Sequence, residues 1–127
     1  MTGLSIAIYL QSALSSDPDI RAKVGDRIFP ISTVTSTSFP FIVYDRDSVS
    51  TEYTKDGRDI DRVVCTVYVM SDVYTESVEI AESVRSALEA GSSDAGPGVR
   101  GSEFVGAVES FTNDTFVQQL QFEFEVE

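Results

Sequence analysis

The chain contains no histidine and a single cysteine, Cys65. Without a second thiol or an imidazole, the usual zinc sites and any intrachain disulfide are excluded, and a cysteine nucleophile would lack its customary base. Cys65 lies in the apolar run VVCTVYV at 63–69. There it reads as a small buried hydrophobe, and a lone thiol fits a reducing compartment. No apolar run approaches the ~20 residues of a membrane span. The start, MTGLSIAIYL, lacks the basic region of a secretory signal. Basic side chains are also scarce, nine against 21 acids for a net charge of -12. So acidic a surface disfavours nucleic acid and anionic membranes and favours basic or metal-bearing partners.

The signatures of common chemistry are missing as well. There is no GxGxxG, no Walker loop and no serine elbow. The stretch GSSDAGPG at 91–98 lacks the lysine that a phosphate loop needs. Acids stand two or three apart in YDRD (44–47) and DGRDID (56–61). A calcium loop starting at Asp56 would meet its glycine too early, at Gly57, and Arg58 where a ligand belongs. That segment reads as a solvated polar hairpin. Nothing marks any carboxylate as buried and protonated, so no catalytic, cofactor or metal site is expected.

What remains is a foldable chain. At 127 residues, 42% apolar and 10% aromatic, it is expected to form one domain over 1–127. Charge is unevenly spread. Residues 1–70 hold seven basic and nine acidic groups, a net of -2, while 71–127 hold only Arg85 and Arg100 against twelve acids, a net of -10.

Hydrophobic spacing outlines the elements. Leu4, Ala7, Leu10 and Leu14, with Ala13 beside them, predict a helical stripe. Pro18 ends it. A short helical turn over Ile20–Val24 follows, closed by Gly25, and then an extended IFPI. STVTSTS (32–38) is expected to be a loop or a poorly ordered edge. FPFIVYDRD predicts a strand with Pro40 near its start, where a missing N–H costs least. The run 48–61 reads as a mobile hairpin or long loop around Asp56-Gly57. RVVCTVYVM, apolar on both faces, predicts a central strand over 62–70.

Ser71 and Asp72 suit the start of a helix near Val73. Ile80, Ala81, Val84, Ala87 and Leu88 form its apolar face, and Gly91 stops it. Two strands close the sequence, about 102–110 and 116–126, joined by a turn at FTND. The last one alternates. Phe116, Leu120, Phe122, Phe124 and Val126 should face the helices; Val117, Gln119, Gln121, Glu123, Glu125 and Glu127 should face out. The expected fold is α+β: a mainly antiparallel sheet of four to five strands with two helices packed on one face.

Three groups are candidate interaction residues. Arg21, Lys23 and Arg27 cluster before the first short strand, and solubility or salt bridges are their bland explanation. Tyr53 and Lys55 sit on the 48–61 arm, which a neighbour could order. Glu123, Glu125 and Glu127 crowd like charge on one strand face at some cost in stability. Such a face could repel DNA along a channel or pair with a basic neighbour. The contrast between the two half-chains makes a head-to-tail ring of copies conceivable.

Several stretches resemble a known family. LQSAL, VGDRIFP at 24–30, FPFIVYDR at 39–46, YTESVEIAESVRSAL at 74–88 and the closing FVQQLQFEFEVE match, in order and length, the small tail-completion proteins of long-tailed bacteriophages and prophages, which are related in fold to tail terminators. The resemblance implies a structural virion protein that assembles as a ring, expected to be a hexamer, at the head-proximal end of the tail. There it would complete the tail tube and join it to the head connector. It implies self-association with no cofactor, no membrane and no specific nucleic-acid binding. The isolated chain could stay monomeric until it meets a tube. Assembly would occur in the bacterial host cytoplasm, and the product would reside in the virion tail. The alternative from the residues alone is a small intracellular adaptor or chaperone-like module that binds a basic protein through the acidic sheet face.

Overall fold

A computed structural model describes residues 2–31, 37–53, 55, 57, 59–89 and 98–127. Residues 32–36 of the expected 32–38 loop, Asp56 and Arg58 of the DGRDID stretch, and residues 91–97 of the GSSDAGPG connection with its helix-stopping Gly91 lie outside the described residues.

The chain opens with a 3-10 turn, Gly3–Ser5, that runs into helix α1 (Ile6–Ser16) and then α2 (Pro18–Val24). Asp17 separates the two helices for a local reason. Its Oδ1 accepts from the N–H groups of Asp19 and Ile20, both at 3.0 Å, and Pro18 takes the first helical turn, where no N–H is needed. Gly25 ends α2 at φ +60°, a conformation that only glycine adopts cheaply, and its N–H closes on the Arg21 carbonyl. Next come β1 (Ile28–Pro30), β2 (Phe41–Tyr53) and β3 (Asp59–Ser71). Then follow α3 (Tyr74–Glu89), β4 (Val99–Thr112) and β5 (Thr115–Val126). The Phe39–Pro40 peptide ahead of β2 is cis.

The strands form one sheet in the order β1-β2-β3-β5-β4. Only β1 and β2 run parallel; the other neighbours are antiparallel. The expected central strand is central, the two expected pairings are present, and α1 and α3 pack on the sheet and on each other, with α2 against both. The sheet order carries a spatial consequence. Everything up to β3 builds one half of the sheet with α1 and α2, and everything after it builds the other half with α3. The seam is the β3–β5 pairing.

The core lies between sheet and helices. Phe122 and Phe124 are fully buried, as are Val63, Cys65, Val67 and Val69 across the seam. Tyr9 meets Phe124 edge-on at 5.6 Å between centroids, and Phe104 meets Phe122 at 5.5 Å. Burying each such ring is worth ~1.5–3 kcal/mol, so β5 anchors both helices to the sheet. Burial also pushes the Cys65 thiol up to about 12, which leaves it an inert core residue.

Four details differ from the sequence expectations. The buried stripe of α1 is Ile6, Tyr9, Leu10 and Leu14; Leu4 and Ala7 are exposed. The phase is set at the N-terminal end, where the Gly3 N–H donates to Asp61 Oδ2 at 2.8 Å and Thr2 caps the 3-10 turn. Second, the 48–61 segment is mostly ladder. β2 and β3 stay paired as far as Tyr53 opposite Asp59, with Asp47 as a bulge. Polar cross-strand contacts carry this extension, among them Thr51 Oγ1 donating to Asp61 Oδ1 at 2.8 Å and Arg62 bonding Glu52 at 3.1 Å. Third, Phe116 is only half-buried. Fourth, Gln118 is buried on the helix-facing side of β5, where its Nε2 donates to Glu109 at 3.0 Å and Ser77 at 3.3 Å. The β4–β5 turn is the two-residue Asn113-Asp114, at φ 53° and 58°, a tight hairpin suited to those residue types.

Candidate functional site

The sheet face turned away from the helices grades from apolar to acidic along its strands. At one end the register aligns Ser110, Val117, Met70 and Phe41, and then Val108, Gln119, Tyr68 and Val43. At the other end it aligns Glu103, Glu123, Val64 and Ser48, and then Gly101, Glu125, Arg62 and Ser50. Arg62 is the hub there. Its guanidinium reaches Glu52 at 3.1 Å, Glu125 at 3.0 Å and Glu123 at 3.4 Å. Arg62, Glu123 and Glu125 with Glu103 line a shallow groove. Glu127 pairs instead with Arg100 at 3.7 Å. The crowded acid row therefore has a cation built into it. The pairs are half-exposed, so they relieve repulsion more than they add stability.

Between these ends lies a carboxyl pair. Asp47, the bulged residue, accepts from Thr66 Oγ1, and Asp45 lies beside Asp47 and Tyr68. Burial first, and then the neighbouring Asp47, raise the Asp45 carboxyl above the ordinary aspartate range. Its Oδ1 is buried without a hydrogen-bond partner among the described residues. Asp61 is the opposite case. The Gly3 N–H and then the Thr51 hydroxyl hold its carboxyl below that range.

The other candidate residues lie elsewhere. Lys23 pairs with Glu79 at 3.0 Å. Arg27 is structural, its Nε donating to the Pro40 carbonyl at 2.9 Å and its Nη2 to the Lys23 carbonyl at 3.2 Å. Arg21 is exposed on α2. Tyr53, 79% exposed, and Lys55 stand at the β2–β3 hairpin end. The structure thus brings Glu123 and Glu125 together and leaves Arg21, Lys23 and Arg27 at the opposite end of the strands. Sequence reasoning missed Arg62 as their partner, although its place on the outward face of the central strand was legible.

It also missed the flanks. On the β1–β2 side, the 3-10 turn exposes Leu4 (66%) and α1 exposes Ile8 (69%), with Ile31 (80%) just past β1. On the β4 side, Val105 (52%), Val108 (66%) and Phe111 (58%) are exposed, with Tyr74 donating to Glu109 at 2.9 Å beside them. Among the described residues, no group of three or more potential ligands could hold a metal. No described helix is long and apolar enough to cross a membrane.

Among the described residues, the site is a set of exposed apolar and acidic surfaces. The chain belongs to the family described as tail completion protein gp17, whose model matches residues 8–127. That family is structural and non-catalytic, and the chain is a structural tail protein of a phage or prophage virion. A chain from the virion of a native gene transfer agent particle shares the fold, with a TM-score of 0.80 at 20% identity over 97% of this chain and 98% of that one. No curated protein matches in sequence. The family, the fold class and the structural role implied by the resemblance are all borne out.

Proposed function

We propose that the chain assembles as a hexameric ring at the head-proximal end of the tail, completes the tube and provides the surface that joins the head connector. The observation that carries this reading is the family match across nearly the whole chain. Two unlike exposed flanks on a single sheet support it, because a subunit of a ring needs two different contact surfaces. Glu123 and Glu125, outnumbering the arginine between them, are proposed to face the enclosed space, where net negative charge keeps DNA from sticking. The adaptor reading is set aside, since the chain belongs to a tail family and Arg62 already occupies the acidic face.

Deleting the gene from the encoding phage or prophage tests the role. Full heads and unattached or overlong tails are expected to accumulate separately. Normal joined virions from the deletion strain would end the reading.

A further inference from the structure

The ring reading leaves open which surfaces meet. We infer that the contact is heterologous and rests on side chains: the uncharged α1 flank of one copy, Leu4, Ile8 and Ile31, against the β4 flank of the next, Val105, Val108 and Phe111. This rests on the proposed ring and adds its interface.

Charge chooses the partner. The described residues of the 3-10 turn and α1, from Thr2 to Ser16, carry no charged side chain, in a protein of net charge -12. The β4 flank is fringed by Glu103, Glu109 and Asp114. Two β4 flanks placed face to face would set like charges together, whereas the α1 flank offers an uncharged helix with Arg46, bonded to the Leu4 carbonyl at 2.7 Å, among the charged residues of the adjoining cleft beside Asp45 and Asp47. Arg21 and Lys23 on α2 belong to that same less acidic half, which holds seven of the nine basic residues.

Position along the strands agrees. Ile6, Ala7 and Leu10 of α1 and Ile31 line one cleft with Tyr44, and Tyr44 aligns through Val67 and Leu120 with Ala107 of β4. Val105 and Val108 flank Ala107. Ile31 beside α1 and the Val105–Val108 stretch of β4 therefore stand at the same level on opposite flanks of one sheet, as subunits related by rotation about an axis along the strands require. Strand-to-strand extension of the sheet is disfavoured. β2, uncovered by β1 beyond Tyr44, is bulged at Asp47, and β4 is bulged at Arg100 and Val105, which blunts both free edges.

The test uses two full-length variants, Ile8→Asp and Val108→Asp, at positions exposed enough to leave the fold intact, as unchanged thermal melts would verify. Native mass spectrometry is run under conditions where the wild-type chain forms its ring, with tail tubes added if the ring needs them. Each variant alone should lose the ring. Mixed, the two should form a one-to-one dimer and nothing larger, because only one competent junction remains. A variant that still closes a ring alone, or a mixture that gives no dimer, overturns the contact while sparing the ring. A wild-type chain that never forms a ring, even with tubes, overturns the ring reading and the contact with it.

Discussion

The two halves of the sheet are built to the same plan and finished differently. Each packs helix on strand through aliphatic and aromatic side chains. Yet the half made by residues 1–70 is nearly neutral and flanked by an uncharged helix, whereas the half made by 71–127 has a net charge of -10 and ends in an edge strand fringed with acids. The split in the sequence survives as a split in space because the chain completes one side of the sheet before starting the other. A subunit with two unlike flanks is suited to bind its own copies in one direction only.

The strongest way to break the comparison is to strike the seam. Phe122 is fully buried between Cys65 of β3 and Phe104 of β4. Phe122→Ala should cost ~3–5 kcal/mol by denaturant unfolding. The transition should stay single; two separated transitions would mean that the halves fold independently. A smaller loss is expected within the first half. A methyl on Gly3 would stand 2.8 Å from both Val49 Cγ1 and Val63 Cγ2, so Gly3→Ala should cost ~1–3 kcal/mol and loosen the start of α1. Fluorescence-monitored denaturation with hydrogen exchange at residues 3–10 would measure both effects.

The same half holds two aspartates whose pH effects have opposite sign. The native carboxyl of Asp61 is held below its unfolded value, so its stabilisation exists above the ordinary aspartate range and disappears as pH falls through the folded value. Asp61→Asn should therefore destabilise at neutral pH and match wild type in acid. Asp45 is raised, so native protonation is favoured and the penalty for ionising it appears as pH rises through the folded value. Asp45→Asn should stabilise at neutral pH and lose that gain in acid. Melting curves across pH with the same sign for both variants would contradict the assignment. The smallest effect belongs to Arg62→Gln, which unbalances Glu52, Glu123 and Glu125. It should lower the midpoint slightly at low ionic strength and hardly at all in high salt.

How much of this was legible depended on how local each feature is. The alternation of Phe122, Phe124 and Val126 with glutamates declares a half-buried strand by itself. The doubly apolar 62–70 run likewise announces a central one. Across the 3-10 turn and α1, apolar residues at 4, 6, 7, 8, 9, 10, 13 and 14 permit more than one helical face. A contact with Asp61, far along the chain, selects among them. The polar 48–53 stretch looked like a loop because its stabilising partners lie on β3 and appear only with the register. Arg62 between Glu123 and Glu125 required knowing that β5 inserts beside β3, a fact of sheet order. The exposed flanks could not be told from core-facing residues until the helix phase, for Leu4 and Ile8, and the edge position of β4, for Val105, Val108 and Phe111, were known.

The most direct test of unlike flanks that meet between copies is cross-linking with a short bis-maleimide under ring-forming conditions, using Ile8→Cys, Val108→Cys and the double variant. Cys65, buried with its thiol pushed up to about 12, will not compete. The account predicts that the double variant yields a ladder of multimers ending at the ring, while each single variant stays uncross-linked. Efficient dimers from either single variant, or intact rings of the double variant that fail to cross-link, would contradict it.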